Sequence, residues 1–335
     1  MIPSQKGLYK KYSGLMLMRR EVVAIAVILI MLTACAGAGK KGEKVDLGAP
    51  FVGGTAGLSA EFIDFRKEVF DGGRDPFDII VKLENKGEAT VMPGRARVKI
   101  SGINPAEFGK LEEDMAKSTS EELLKASKDP QGNILTGSQS TIEFTGLNRF
   151  SPIAGSQVTF PLRADVCYTY YTEAVSKLCI RENLLAPEPG GICEINEDKE
   201  VKNSGAPVQF GAVKETSRGK DRISFSFEIS NVGTGNVFER GSVCDKSTRA
   251  KESLVYVEVD TGIPGLQCTG LTTSGTKAEG SIKLYEGKKI VTCTQTITSK
   301  ADYEQQIKLR ATYDYEEYKQ TQITVKSSGE SAETS

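Results

Sequence analysis

The stretch Ile223–Val237 has the sequence ISFSFEISNVGTGNV. Its first half alternates apolar with polar residues, and the apolar positions are Ile223, Phe225, Phe227 and Ile229. This alternation is typical of a strand with one buried and one solvated face. Asn231 and Gly233 then interrupt it, and both residue types tolerate the left-handed backbone of a chain reversal. The stretch therefore predicts a strand, a tight turn and the start of a second strand.

The same pattern occurs 146 residues earlier, in the sequence FDIIVKLENKGEATV of Phe77–Val91. Three further segments recur in the same order, at offsets of 148, 159 and 147 residues: Ala60–Phe62 with Pro207–Phe210, Val98–Ile100 with Val257–Val259, and Phe160–Ala164 with Ile307–Ala311. Four repeats in one order predict an internal duplication in which loops have been exchanged.

Each copy holds about seven short predicted strands, which favours an all-β fold of two tandem immunoglobulin-like (Ig-like) antiparallel β-sandwich domains. A β-barrel is the alternative. The chain has no Trp, so the Cys–Trp–Cys core of antibody domains is absent and the likeness is architectural. The predicted organisation is a signal peptide or membrane anchor over 1–35, a flexible linker over 36–50, Ig-like domains over 51–190 and 205–326 with a linker over 191–204, and a disordered tail over 327–335.

The first fifty residues resemble a targeting segment. Basic residues precede the apolar run Val22–Leu32, which is too short for a full membrane span but fits the core of a signal peptide. Leu32–Cys35, LTAC, resembles a lipobox, in which Cys35 would be lipidated. An uncleaved membrane anchor and a simple secretory signal are the alternatives. All three place the rest of the chain at the extracellular face of the membrane.

Gly37–Gly42, GAGKKG, matches the G-x-G-x-x-G pattern of dinucleotide-binding proteins. It follows the apolar run and opens no helix, so the strand–turn–helix context of that motif is missing. The segment is interpreted as a flexible linker, and no cofactor is expected.

Six further cysteines lie in the second half of the chain: Cys167, Cys179, Cys193, Cys244, Cys268 and Cys293. An even number outside a membrane favours disulfides over free thiols, and the absence of a C-x-x-C motif argues against a metal site. We expect a hairpin of 157–172 with 177–180 to join Cys167 to Cys179, and the second domain to hold a Cys268–Cys293 bond. Cys193 and Cys244 then remain to pair.

The stretch Asn104–Lys128 departs from the strand pattern. It is rich in Glu, Lys, Leu and Ala, and Ser118 with Glu121 has the spacing of a helix capping box. A short helical insertion is predicted, as a solvated decoration or as a binding lid.

Tyrosines cluster in the last predicted hairpin of each copy: Tyr168, Tyr170 and Tyr171 in the first, and Tyr303, Tyr313, Tyr315 and Tyr318 in the second. They are interpreted as sheet-packing residues, with a contact surface as the alternative.

Composition excludes several classes of function. The 335-residue chain has a net charge of -1, which gives no general attraction for nucleic acid. It has no His, which removes His-dependent nucleophile activation and the commonest zinc ligand. Catalysis by paired carboxylates stays open, but no motif singles out such a pair. We therefore expect a protein without catalytic activity or a metal.

The order of these features resembles a known group of proteins. A strand and an Asn-x-Gly break precede Cys167 and Cys179 in a Tyr-rich segment, and the second copy repeats the break before Cys293. This resembles uncharacterised archaeal membrane-anchored surface proteins with tandem Ig-like domains, similar to the CARDB-type adhesion modules. The resemblance covers 51–326 and implies a fold but no catalytic residues.

The resulting functional hypothesis is a non-enzymatic cell-surface interaction or structural module, anchored to the membrane within an envelope assembly. Its expected partners are a protein or a polysaccharide, and not nucleic acid. The alternative is an anchored solute-binding lipoprotein, which requires an apolar cleft between the domains. A carboxylate-dependent hydrolase is the third hypothesis.

Overall fold

A computed structural model describes residues 44–185 and 191–329. Over these residues the chain has 21 strands, three short 3₁₀ turns and no α-helix. These residues belong to one compact unit, and none of their elements is a helix long and apolar enough to cross a membrane. The predicted signal or anchor segment with Cys35, the linker as far as residue 43 and the tail from residue 330 lie outside the described residues.

The first eleven strands precede residue 204. They are β1 Leu58–Ile63, β2 Glu68–Phe70, β3 Phe77–Asn85, β4 Ala96–Ser101, β5 Ala116–Ser118, β6 Ser127–Lys128, β7 Ile134–Leu135, β8 Gln139–Leu147, β9 Gln157–Ile180, β10 Asp198–Lys199 and β11 Lys202–Asn203.

The remaining ten strands follow. They are β12 Val208–Phe210, β13 Val213–Ser217, β14 Arg222–Asn231, β15 Asn236–Phe238, β16 Leu254–Asp260, β17 Leu266–Cys268, β18 Thr272–Ser274, β19 Lys277–Lys283, β20 Lys288–Thr296 and β21 Tyr303–Lys326.

The strands form a β-sandwich-like arrangement. A three-stranded sheet has the order β1-β3-β8, and a six-stranded sheet has the order β10-β13-β14-β20-β17 with β12 beside β14. A ten-stranded sheet has the main order β18-β19-β16-β21-β9-β4-β5 and takes strands from both halves of the chain. The inward faces of these sheets share one hydrophobic core.

β9 and β21 are single strands of 24 residues that pair antiparallel along their whole length. The predicted hairpin within 157–180, and the corresponding hairpin among the last tyrosines, are therefore wrong. The supposed turn, residues 173–176, contains no Gly, Pro or Asn. Ala174 and Ser176 instead continue the alternating burial, so the strand runs on.

The two halves repeat the same strand pairings. Val98 of β4 faces Val166 of β9, and Val257 of β16 faces Ala311 of β21. If Val98 and Val257 are equivalent, as the predicted offset of 159 residues states, then the residues that face them, Val166 and Ala311, are equivalent too. This places β21 at an offset of 145 residues from β9.

Two of the four predicted repeat offsets are wrong by two residues. The β9 repeat lies at 145 rather than 147 residues, as the pairings of β4 and β16 require. The first strands differ likewise: Leu58 faces Asn85, and Val208 faces Asn231, which gives an offset of 150 rather than 148. A shift of two residues keeps every side chain on its face, so the hydrophobic pattern cannot detect it.

The pairing of β9 with β21 is symmetric about its centre. Tyr168 faces Tyr315 and Tyr170 faces Tyr313, while Thr169 faces Asp314 at the middle. The pairing of β9 with β21 is therefore approximately two-fold symmetric, and it joins the two halves in one sheet.

The Asn-x-Gly breaks are corners between sheets, not hairpin turns. β14 lies in the six-stranded sheet, whereas β15, which follows the break, pairs with β21. Asn231 donates through Nδ2 to the carbonyl of Gly235 at 2.8 Å, and Asn85 donates to the carbonyl of Ala89 at 2.8 Å. The two corners therefore have the same construction.

The predicted helical insertion at 104–128 is wrong. Pro105–Phe108 and Glu113–Met115 are 3₁₀ turns, and Ser118 ends β5 rather than capping a helix. Leu123 is buried and its backbone bonds to that of Val91 in both directions, which holds this part extended. The segment predicted as a linker, 191–204, contains β10 and β11, which pair with β13 and β9.

Candidate functional site

A groove of about 390 Å³ lies on the outer face of the ten-stranded sheet, over β19, β16, β21 and β9. Buried Val259, Leu309 and Ala174 point into the core below it, while the alternate residues of these strands carry charge outward. Phe51, from the segment before β1, also lines the groove. The groove is thus half open, combines charged with apolar surface, and is formed by strands from both halves.

Strand register arranges the charges in two rows. The first row crosses the four strands as Glu279, Glu258, Arg310 and Glu173. The second row, two residues further along each strand, is Lys277, Asp260, Lys308 and Val175. Rows two residues apart are separated by roughly 6.6–6.8 Å. One row is therefore mainly acidic and its neighbour mainly basic.

Arg310 occupies the middle of the acidic row. Its Nη1 lies 3.6 Å from Glu173 Oε1 and its Nε lies 3.9 Å from Glu258 Oε2. Its guanidinium also stacks on Tyr171 at 4.3 Å from the ring centroid. These contacts order the arginine between two carboxylates, although half-exposed pairs of this kind contribute little to stability.

Two charged groups of the groove have no ion-pair partner among the described residues, namely Glu279 and Lys308. Glu279 lies directly opposite Glu258 across β19 and β16, and like charges in this position destabilise a sheet. Asp260, beside Lys308, is already bonded to Gly262 N at 2.9 Å and to Thr276 Oγ1 at 3.0 Å. The groove can thus hold a partner that brings a cation to one row and an anion to the other.

All six cysteines of the described region form disulfides. The structure contains the expected Cys268–Cys293 bond, but the other two expected pairs are wrong. Cys167 is bonded to Cys244, and Cys179 to Cys193. Because β9 is continuous, its two cysteines are twelve residues apart on an extended strand and cannot meet.

The loop 239–253 is fastened over the centre of the shared sheet. The Cys167–Cys244 bond ties it to β9, and Val243 N donates to Asp314 Oδ2 at 2.7 Å. Lys246 Nζ lies 2.8 Å from Glu316 Oε2. This loop therefore covers part of the outer face and leaves the groove uncovered beside it.

The sequence contained only part of the signal for this site. The alternating charges of β16 and β21 are visible in the sequence, but nothing there shows that β9 and β19 flank them.

Cys35, the predicted lipidation residue, lies outside the described residues. Within 44–185 and 191–329, no group of His, Cys, Asp and Glu could hold a metal ion.

No family model and no curated protein matches the chain. Among solved structures, a comparison finds the secreted serine protease VesC from Vibrio cholerae at 8% identity and a TM-score of 0.17. The alignment covers 77% of this chain and 50% of the protease chain. At this TM-score the comparison supports no conclusion about fold or activity.

Proposed function

We propose that this protein is a non-enzymatic interaction or structural module, anchored at the extracellular face of a membrane as part of an envelope assembly. Its two halves are proposed to be Ig-like sandwiches joined through β9 and β21. Three disulfides support an extracellular or otherwise oxidising environment. The anchor is proposed from the apolar run Val22–Leu32 and from Cys35.

The observation that best supports this function is the groove, which contains unpaired charges of both signs. Its open, charged lining supports a macromolecular partner with complementary charges, either a protein or an acidic and basic polysaccharide. A solute-binding protein requires an enclosing pocket, whereas this groove is half open and carries charged residues along its length.

Charge reversal in the groove tests this function. Full-length protein carrying Lys308→Glu or Glu279→Lys is expressed in cells and cross-linked intact, beside wild type. Loss of the cross-linked species in both variants is the expected result. Lys288→Glu is the matched control, because Lys288 is exposed at the start of β20 in a different sheet, and it should cross-link as wild type does. A protein that stays monomeric in cross-linking of wild-type cells would overturn the proposal.

A further inference from the structure

The strand β1 has one unpaired edge, and this edge lies beside β21. Just before β1, Gly57 O accepts a hydrogen bond from Lys86 N of the β3 side. Because hydrogen bonding alternates along an antiparallel pair, the main-chain groups of Leu58 and Ala60 point away from β3. Opposite them, residues 317–323 of β21 lie between its pairings with β15 and β2.

The edge of β21 is also unpaired over this stretch. Thr324 N donates to Lys67 O at 2.8 Å, so the even-numbered residues of β21 turn their main-chain groups away from β9. Among the described residues, no hydrogen bond reaches those groups of Tyr318, Gln320 or Gln322. Lys67 and this stretch of β21 line an open hollow of about 470 Å³.

The second half of the chain has a strand at the equivalent place. Residues 173–177 of β9 correspond to 318–322 of β21 at the offset of 145, and β12 corresponds to β1 at the offset of 150. Between β9 and β12 lies β11, whose Asn203 is opposite Ala174 of β9. The Asn203 side chain reaches β12, where its Nδ2 donates to Phe210 O at 2.8 Å and its Oδ1 accepts from Phe210 N at 2.9 Å. β11 therefore bridges the two strands.

Burial of the flanking side chains differs accordingly. Beside β11, Ala174 and Ser176 of β9 are buried, and Ser176 Oγ donates to Glu200 O at 2.7 Å. Of their equivalents on β21, Lys319 is exposed and Thr321 is half-buried. The first half thus has both sides of a strand site, and no described strand occupies it.

The segment that would fill this site by sequence lies elsewhere. At the offset of 150, residues 52 and 53 correspond to β11. Their main-chain N–H groups donate to the carboxylate of Glu88 at 2.8 Å, and the same carboxylate accepts from Gly205 N, which follows β11. Phe51 lines the charged groove. This segment therefore lies over the second half, and the site between β1 and β21 remains for another chain.

Two buried polar atoms lie at one end of the site without a hydrogen-bond partner among the described residues, namely Tyr168 OH and Glu317 Oε1. In the second half, the equivalent Tyr313 OH accepts from Val208 N at 3.3 Å, and Thr172 Oγ1 donates to Val208 O. Val208 begins β12, so Tyr168 and Glu317 lie at the start of β1. Buried polar atoms are ordinarily paired, and this end of the site therefore fits a place that a further segment completes.

We propose that the site between β1 and β21 binds an extended segment of a partner protein, antiparallel to β21, as β11 binds β9. Main-chain bonds to the even-numbered residues of the β21 edge would hold the segment. An Asn side chain opposite Lys319 would bridge to the main chain of Ala60, because an amide offers a donor and an acceptor side by side.

Charge gives the segment a second feature. In this register, the residue three positions before the Asn lies opposite Gln322, which lines the hollow together with Lys67. Lys67 has no ion pair among the described residues, so an acidic side chain at that position would complement it. The proposal does not rest on the charged groove, which uses residues 308–310 of β21 instead.

The chain itself supplies the probe. A peptide Glu-Val-Lys-Asn-Ser-Gly copies residues 200–205 and contains both features. Titrated into isotope-labelled full-length protein, it should shift the amide resonances of Ala60 and of residues 318–322. A matched peptide with alanine for Asn should bind roughly tenfold more weakly, because it loses two hydrogen bonds.

Two results would overturn the proposal. The first is shifts elsewhere, or no shift at millimolar peptide. The second is the same set of shifts when the concentration of protein alone is raised, since this would identify a second copy of the chain as the occupant.

Substitutions at Gln320 test the main-chain pairing. Gln320→Pro removes an N–H that points to the open side, leaves the bonds to β9 in place, and should abolish the peptide-induced shifts. Gln320→Ala keeps this N–H and is the matched control, which should bind the peptide as wild type does. Equal binding by the two variants would contradict main-chain pairing at this edge.

Cross-linking tests the register independently of the proline variant. In Lys319→Cys, a peptide with Cys in place of Asn should form a disulfide, because the two residues lie opposite each other as Ala174 and Asn203 do. Lys319 is exposed, so this substitution should preserve the fold. Gln320→Cys, whose side chain points to the opposite face, is the control. Equal cross-linking of both cysteines would refute the proposed register even if Gln320→Pro fails to fold.

Discussion

At the residue scale, one tyrosine hydroxyl forms a hydrogen bond to the Asn side chain of each sheet-to-sheet corner. Tyr170 OH donates to Asn85 Oδ1 at 2.9 Å, and Tyr315 OH donates to Asn231 Oδ1 at 3.3 Å. A Cβ on Gly87 would lie 2.3 Å from Tyr170 OH, so only glycine permits this approach. Burial raises the pKa of Tyr315 to about 12, so the hydroxyl stays protonated and available as a donor.

Removing one of these hydroxyls should destabilise the fold. Tyr170→Phe leaves Ala89 N, which donates to this hydroxyl at 3.3 Å, without that buried acceptor. We expect a loss of about 1–3 kcal/mol in the free energy of unfolding, measured with urea. Tyr318→Phe is the control because Tyr318 is exposed, and it should change stability by less than about 0.5 kcal/mol. Equal effects of the two substitutions would contradict the role of the corner.

The two halves differ in polarity at Glu317. It occupies the position equivalent to Thr172, whose Oγ1 lies 3.1 Å from Tyr313 OH. On the Glu317 side, Tyr168 OH and Glu317 Oε1 are buried, and neither has a hydrogen-bond partner among the described residues. Desolvation by burial raises the pKa of Glu317 to about 7.

Stability should therefore fall as pH rises. Between the ordinary pKa of 4.5 and about 7, the folded state holds more protons on Glu317 than the unfolded state does. The free energy of unfolding decreases across that interval, by about 3 kcal/mol. Glu317→Gln should match wild type near pH 4 and exceed its stability by this amount at pH 8.5. Exposed Glu112→Gln should show no such divergence in urea titrations at the two pH values. Parallel pH profiles for wild type and Glu317→Gln would contradict the account.

At the element scale, alternation predicted individual strands better than their connections. β3, β14, β4 and β16 follow their hydrophobic patterns closely because each buries one face. The hairpin within β9 was a wrong prediction because two cysteines twelve residues apart suggested a bridge, while no turn residue separates them. The insertion at 104–128 failed because its charged composition suits a helix, yet backbone pairing of Leu123 with Val91 keeps it extended.

The disulfides should differ in their contribution to stability. The Cys167–Cys244 bond spans 77 residues and ties the loop 239–253 to the strand β9, whereas Cys268–Cys293 spans 25 residues within one sheet. In the chain-entropy model the first stabilises by about 4–5 kcal/mol and the second by about 3–4 kcal/mol. We expect the double variant Cys167→Ser with Cys244→Ser to melt at a lower temperature than the double variant at Cys268 and Cys293. The reverse order in calorimetry would contradict this.

At the scale of the whole molecule, the central feature is the joining of two similar halves through one sheet. The sequence showed the repeated strand pattern, because the hydrophobic period and the Asn-x-Gly breaks occur in both halves. It did not reveal the join, because pairing between distant strands leaves no local pattern. The groove was missed for the same reason: its rows of charge exist only after β9 and β21 are placed side by side.

The disulfide map of the native protein tests the continuous β9 most directly. Mass spectrometry of peptides from non-reduced protein, digested at low pH to prevent exchange, identifies each pair. The expected pairs are Cys167 with Cys244, Cys179 with Cys193 and Cys268 with Cys293. Twelve residues of extended strand span about 40 Å, far beyond the reach of a disulfide. A peptide linking Cys167 to Cys179 would therefore mean that the strand folds back as a hairpin, and that the two halves are not joined as described.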